Sequence, residues 1–215
     1  MKIGVLGTGG VGSAIATKLV SLGHDVKMGS RSAASDKALA WVASAGSRAS
    51  AGTFADAAAF GELLLNCTAG ANSLAALQAA GASNLAGKIL IDVANPLDFS
   101  KGMPPTLTVC NSDSLGEQIQ RAFPETKVVK ALNTVSNILM INPAALPGDH
   151  DLLICGNDAA AKAHVTELLM GWFGWNTVVD VGDITAARGT EAILLLWVRL
   201  FGRFQTPQFN FHIVR

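Results

Sequence analysis

The feature that most restricts the fold is a glycine-rich segment at the start of the chain. Residues 2–6 read KIGVL, an apolar run typical of a strand, and GTGGVG follows directly at residues 7–12. Apolar residues then recur with helical spacing from about Val11 to Leu22, and Gly23 is suited to end that helix. A strand, a glycine turn and a helix in this order form the first unit of a dinucleotide-binding fold.

Three glycines of this segment have separate mechanical roles in such a fold. Gly7 permits the tight turn, Gly9 lets the backbone approach a pyrophosphate, and Gly12 lets the helix pack on the strand. The pyrophosphate would lie against the free N–H groups at the positive end of the helix. Glycine turns are common elsewhere, but the strand–turn–helix context favours a dinucleotide.

Strand-like and helical segments alternate along most of the remaining sequence. The run KILIDVANP has no polar alternation, which is expected of a parallel strand covered on both faces. The pattern predicts an α/β fold with a Rossmann-type, doubly wound, mostly parallel sheet. The last helical segment, TEAILLLWVRLFGRF, is apolar on nearly every face, so we expect it to pack against the domain or a second subunit.

The end of the second predicted strand, HDVKMGS, bears on cofactor choice. NAD-binding proteins of this type place an acid there for the ribose 2′-hydroxyl, whereas this chain has Ser30, Arg31 and Ser32. A guanidinium and two hydroxyls suit a 2′-phosphate, and Lys37 could add charge. Each residue alone could be a solvated turn residue, and Asp36 is assigned to a helix start. Together they predict NADP, bound by a domain of residues 1–183 with a helical extension over 184–215.

Charge and cysteine content argue against several other classes of protein. Sixteen Lys and Arg balance sixteen Asp and Glu, so no long-range field favours nucleic acid or an anionic membrane. Cys67, Cys110 and Cys155 are odd in number and widely spaced, and they indicate neither a disulfide framework nor a metal site. The chain begins in a strand, and no apolar run approaches the ~20 residues of a membrane span. We therefore expect a cytoplasmic protein.

Several segments resemble a known family. The runs GTGGVGSAIATKLVSLGHDVKMGSRS, LLLNCTAGANS, ILIDVANPL and KVVKALNTV are similar to those of NADP oxidoreductases that depend on the deazaflavin coenzyme F420. The resemblance covers essentially the whole chain and is strongest over residues 1–35. More distantly, the fold resembles the cytosolic part of eukaryotic metalloreductases. The family resemblance implies direct hydride transfer between NADPH and coenzyme F420, in which the protein positions the two rings and excludes water.

The resemblance also implies which residues contact the cofactors, and it implies no catalytic side chain. The implied contacts are Thr8, Gly9, Gly10 and Val11 with the pyrophosphate, Ser30 and Arg31 with the 2′-phosphate, Cys67 and Thr68 with the ribose or nicotinamide, and Ala94 and Asn95 beneath the nicotinamide. Asn133 occupies the position of a histidine that lies beside the deazaflavin in the family. That departure leaves the identity of the hydride acceptor open.

Two other functions stay open from the sequence. One is an NADPH-dependent reductase of a flavin, a quinone or a small carbonyl compound. A carbonyl reductase needs a proton donor, but the chain has no Tyr, and Lys130 and Asn133 are poor substitutes. Structural roles are expected for all the histidines, which are His24, His150, His164 and His212. The other is a non-catalytic NADP-binding redox sensor with a partner surface.

Two segments have more than one interpretation. The long connection Leu97 to Asn111 contains prolines and a glycine, and it is either a lid over the acceptor or a passive surface loop. The apolar C-terminal helix would be explained most simply by a homodimer interface.

Overall fold

The computed structural model describes residues 1–214. Its strands are β1 Lys2–Leu6, β2 Asp25–Ser30, β3 Ala49–Thr53, β4 Leu63–Asn66, β5 Ile89–Asp92, β6 Leu97–Asp98, β7 Thr106–Leu107, β8 Lys127–Ala131, β9 Leu152–Gly156 and β10 Val178–Asp180. Its α-helices are α1 Gly10–Ser21, α2 Asp36–Ala45, α3 Phe54–Phe60, α4 Gly70–Ala80, α5 Ala82–Leu85, α6 Leu115–Ala122, α7 Asn137–Ile141, α8 Ala159–Leu168 and α9 Ala187–Phe204. A π-helical turn, Leu169–Phe173, extends α8.

The main sheet has eight strands in the order β10-β9-β8-β5-β4-β1-β2-β3. The pairs from β3 across to β8 are all parallel, which confirms the predicted doubly wound, mostly parallel sheet. The pair β8 and β9 is antiparallel, and β10 is parallel to β9. β9 runs in the opposite direction because it starts at the same end of the sheet at which β8 finishes. The connection therefore does not have to return to the other end of the sheet.

Helices cover both faces of the sheet and form two apolar cores. Ile3 and Val5 of β1 belong to one core, and Leu6 belongs to the other. Helix α3 packs very closely on β1. A Cβ atom on Gly4 of β1 would lie only 2.3 Å from the Ala57 carbonyl oxygen of α3. Small residues therefore set the distance between helix and sheet here.

The C-terminal helix α9 begins three residues before the predicted segment and is buried along one side only. Its buried residues are Ala187, Thr190, Glu191, Leu194 and Val198. Four large apolar residues of the same helix, Leu195, Leu196, Phe201 and Phe204, are exposed. The fold therefore includes the predicted C-terminal helical extension, while the boundary predicted between residues 183 and 184 stays a prediction.

The connection from Leu97 to Asn111 contains a two-stranded antiparallel hairpin, β6 and β7, that the sequence did not predict. Phe99 and Met103 at its tip are exposed. The use of this hairpin as a lid stays a prediction. Within residues 1–214, no helix is both long and apolar enough to cross a membrane.

Candidate functional site

The glycine loop between β1 and α1 separates a packed part from an open part. Gly7 has a φ of +120°, which side chains disfavour, and a Cβ atom there would lie 2.6 Å from the Cys67 carbonyl oxygen. A Cβ atom on Gly12 would lie 2.3 Å from the Gly7 carbonyl oxygen. A Cβ atom on Gly9, by contrast, would meet no atom of residues 1–214 within 4 Å. The loop therefore presents open backbone at Gly9.

The first turn of α1 is suited to an anion. Gly9 is the N-cap and has no side chain to satisfy the free N–H groups of this twelve-residue helix. Gly10 begins the helix, and Val11 packs half-buried against the core. The free N–H groups at the positive end of the helix follow directly after the open backbone at Gly9.

A cleft of about 1170 Å³ runs along the carboxyl edge of the sheet from this loop. Its lining includes the predicted residues Gly7, Thr8, Gly9, Ser30, Arg31, Ser32, Lys37, Cys67 and Thr68. The sequence did not predict its remaining wall, which comes from the starts of α2 and α3 and from α4 with the residue before it: Ser35, Asp36, Thr53, Phe54, Ala55, Ala69, Asn72, Ala75, Ala76 and Ala79. The cleft therefore joins the ends of β1, β2 and β4, as ligand sites of such sheets do.

One end of the cleft, formed by Ser30, Arg31, Ser32 and Lys37, is here called the open end. The Ser30 hydroxyl is buried and donates to the Ser32 carbonyl oxygen at 2.6 Å, which shapes the turn. Arg31 and Lys37 are exposed and form no ion pair within residues 1–214. Asp36 begins α2, as predicted, but it also lines the cleft. Two cations and one carboxylate leave this end positive.

Beneath the other end lies a chain of polar contacts, called here the strand-end network, made of Asn66, Thr68, Asp92, Lys130 and Glu191. The Thr68 hydroxyl donates to Asn66 Oδ1 at 2.6 Å, and Asn66 Nδ2 donates to Asp92 Oδ1 at 2.8 Å. Lys130 Nζ lies 2.8 Å from Asp92 Oδ2 and 2.8 Å from Glu191 Oε1. The network connects a residue lining the cleft to the C-terminal helix.

The charges of this network are buried. The side chains of Lys130 and Asp92 are 0% exposed, and that of Glu191 is 2% exposed. Burial lowers the pKa of Lys130 more than any other single influence, but the two carboxylates outweigh it and raise the pKa overall. The excess negative charge is met by backbone N–H groups of Leu115 and Gly116, which donate to Glu191 at 2.8 and 3.0 Å.

Ala94, Asn95 and Asn133 lie next to this network, at the ends of β5 and β8. Asn95 Nδ2 donates to the Asn133 carbonyl oxygen at 2.8 Å, and Asn133 Nδ2 donates to Asn95 Oδ1 at 3.0 Å and to the Thr190 carbonyl oxygen at 2.9 Å. Leu132, directly before Asn133, has a φ of +65°, which is a strained value for a bulky residue. The buried Asn133 Oδ1 finds no hydrogen-bond donor within residues 1–214. Ala94, Asn95 and Asn133 do not line the cleft.

The nearby thiol and amine are poorly suited to acid–base chemistry. Burial, with a smaller contribution from Asp92, raises the pKa of Cys67 far above its ordinary value, so the thiol stays neutral. Lys130 Nζ also donates to the Ala94 carbonyl oxygen, so its protons are directed to three acceptors inside the protein. The implied contacts of all these residues with a cofactor stay predictions.

The strand-end network could have been predicted from the sequence, but from isolated charges and not from the motifs considered above. Asp92, Lys130 and Glu191 are single charges within otherwise apolar runs, ILIDV, VVKAL and TEAILLLW. Charges in segments that will be buried are found paired. Pairing the three would have predicted contact between β5, β8 and the last helix.

The chain is similar to known proteins along its whole length. The family model described as NADP oxidoreductase coenzyme F420-dependent matches residues 2–96. A crystal structure of a candidate F420-dependent NADP reductase from Arthrobacter sp. FB24 has a TM-score of 0.94, is 53% identical, and covers 100% of both chains. The Rossmann-type fold is thus shared along the full length of that chain.

Two curated relatives are longer proteins. The chain is 34% identical over 117 residues to the F420-dependent NADP reductase of Methanocaldococcus jannaschii. This alignment covers 54% of this chain and 52% of that protein. It is 32% identical over 212 residues to metalloreductase STEAP3 of Rattus norvegicus. That alignment covers 96% of this chain and 38% of that protein. The chain therefore spans about half or less of the length of these relatives.

Proposed function

The chain belongs to the family of NADP oxidoreductases that depend on coenzyme F420, and we propose that it transfers hydride between NADPH and this deazaflavin. Membership of the family implies NADP and coenzyme F420 as the two redox partners. The observation that carries the proposal is the open backbone at Gly9, which faces a cleft with free cations at one end.

The residues of the cleft fit NADP in three places. The N–H groups at the start of α1 would hold the pyrophosphate without competition from a capping side chain. Arg31 and Lys37 would bind the 2′-phosphate, with Ser32 as a further donor. Thr68 would face the ribose on the nicotinamide side, because it lies at the end of β4.

At the nicotinamide side the chain would position the two rings and exclude water from the space between them. NADPH, when bound, supplies the hydride, and the acceptor ring takes it directly. Ala94, Asn95 and Asn133 would form a floor beneath the nicotinamide, and buried hydrogen bonds hold the backbone of Ala94 and of Asn133. The protonated, internally bonded Lys130 holds its proton, so we assign no side chain as proton donor.

We further propose that a second copy of the chain covers the exposed side of α9. Leu195, Leu196, Phe201 and Phe204 are exposed along one helix, an arrangement typical of an interface between subunits. The variant Leu196→Lys is expected to lower the sedimentation coefficient from that of a dimer to that of a monomer. A wild-type monomer at micromolar concentration would contradict the proposal.

The proposed reaction is tested by mixing the protein with NADPH and, separately, coenzyme F420, FMN or FAD. We expect rapid F420 reduction with NADPH and little with NADH. Turnover with FMN or FAD alone would assign the other acceptor class, which Asn133 in place of histidine leaves open. NADPH binding without turnover of any acceptor would contradict the enzyme proposal and favour a redox sensor.

A further inference from the structure

The C-terminal helix α9 contributes two neighbouring residues to the inside of the candidate site. Glu191 forms an ion pair with Lys130, and the Thr190 carbonyl oxygen accepts a hydrogen bond from Asn133 Nδ2. Both residues are buried, with 1% and 4% of their surfaces exposed. One turn of α9 therefore contacts Lys130 of β8 and Asn133, which follows the end of that strand.

The contact made by Glu191 continues to the backbone of the predicted nicotinamide floor. Lys130 Nζ donates to the Ala94 carbonyl oxygen, and Asp92 Oδ1 accepts from the Ala94 N–H at 3.3 Å. Both backbone polar groups of Ala94 are thus held by the side chains that share the buried charge. A change at Glu191 would redistribute the contacts of Lys130 and, through them, the position of Ala94.

The energetics favour a positioning role over a stabilising one. One ammonium and two carboxylates give a buried cluster with an excess negative charge. Buried ion pairs are often no more stabilising than well-packed apolar residues of the same volume, because each charge loses its hydration. What such a cluster supplies is a set of directed contacts, and here they end at Ala94 and Thr68.

We propose that Glu191 is a positioning residue for hydride transfer, acting through Lys130 on the strand ends that support the nicotinamide. The proposal rests on the proposed function, since it assumes that NADPH occupies the cleft. It extends that function to a residue of the C-terminal helix, outside the part of the chain that the family model matches.

The chain offers a matched control. Arg188, one turn before Glu191 on α9, pairs with Glu117 of α6, and its Nε donates to Glu117 Oε2 at 2.9 Å. This pair joins the same two helices that Glu191 joins, but within residues 1–214 it forms no hydrogen bond or ion pair with β5 or β8. Arg188→Gln should therefore loosen the helix contact without moving the strand ends.

The test compares wild type, Glu191→Gln and Arg188→Gln in three measurements: the Kd for NADPH, the fluorescence of bound NADPH, and single-turnover hydride transfer. Glu191→Gln should leave the Kd nearly unchanged, reduce the fluorescence enhancement of the bound nicotinamide, and slow transfer by about tenfold or more, because small displacements can cost up to ~100-fold. Arg188→Gln should behave as wild type in all three, despite a lower melting temperature.

Equal fluorescence and transfer rates in the two variants would overturn the role of Glu191. If wild type binds no NADPH, the proposed function fails instead. The fluorescence comparison needs no acceptor, so it decides the inference even if coenzyme F420 is not the acceptor. Should Glu191→Gln not fold, Glu191→Asp provides the same comparison, since it keeps the charge but shortens the reach of the carboxylate to Lys130.

Discussion

Arg31 and Lys37 lie exposed at the open end of the cleft, whereas Lys130 is enclosed between two carboxylates beneath the other end. The cations of the open end remain hydrated until a ligand arrives, so their charge is available for binding a phosphate. The cation of the strand-end network is already satisfied, so its contacts shape the backbone. In the proposed function, the two ends would therefore perform different tasks: the open end would select the ligand, and the strand-end network would place the ring.

The largest expected effect tests the buried end. Lys130→Met would leave Asp92 and Glu191 buried without their shared cation, and we expect the free energy of unfolding to fall by about 3–5 kcal/mol. Urea titration would measure the change. Arg48→Gln, which breaks the exposed pair with Asp25, should cost less than about 1 kcal/mol. Similar losses in both variants would remove the distinction between the two kinds of ion pair.

A second variant tests the open end. Arg31→Ala should weaken NADPH binding by more than tenfold, corresponding to the about 1.5–3 kcal/mol of a charge-assisted contact. Calorimetry should show little change for NADH, which lacks the 2′-phosphate. The matched variant Asp36→Asn should tighten NADPH binding, because it removes the carboxylate at the rim of the cleft. An equal loss for NADPH and NADH would contradict the role of Arg31.

A third pair of variants compares two glycines of the loop. Gly12→Ala forces a Cβ atom toward the Gly7 carbonyl oxygen, and overpacking of this kind should cost about 1–3 kcal/mol of stability. Gly9→Ala should leave the stability nearly unchanged and weaken the binding of NADPH and NADH alike, since its Cβ atom would enter the space for the pyrophosphate. A lower stability of Gly9→Ala than of Gly12→Ala would contradict this prediction.

The smallest effect concerns the Cys155 thiol, which lies opposite Lys130 in the register of β8 and β9. Burial, the largest influence, raises its pKa from 9.0 to about 12. Because the folded pKa is the higher one, stability is unaffected below about pH 9 and falls as the pH rises toward 12, by up to about 1.4 kcal/mol per pH unit.

Urea titrations at about pH 8 and about pH 10 would measure this slope. Cys155→Ala should make it shallower, whereas Cys110→Ala, at an exposed thiol, should leave it as in wild type. An unchanged slope in Cys155→Ala would show that other groups cause the alkaline loss.

The parts of the fold predicted from sequence are those encoded by short-range patterns. The glycine loop, the alternation of strands and helices, and the Ser-Arg-Ser turn each lie within a few residues, where turn geometry and hydrophobic periodicity act. The direction of β9 and the β6–β7 hairpin were not predicted. Both depend on which strand the chain returns to, and local periodicity contains no information on pairing partners.

The same physical distinction divides the site. The sequence by itself determined the glycine loop, the cations of the open end and the family, because these are contiguous motifs. Only the tertiary structure brought Asp92, Lys130 and Glu191 together, from two strands and the last helix. A buried charge must be paired because it has lost its water, and which charges are buried together depends on how distant segments pack.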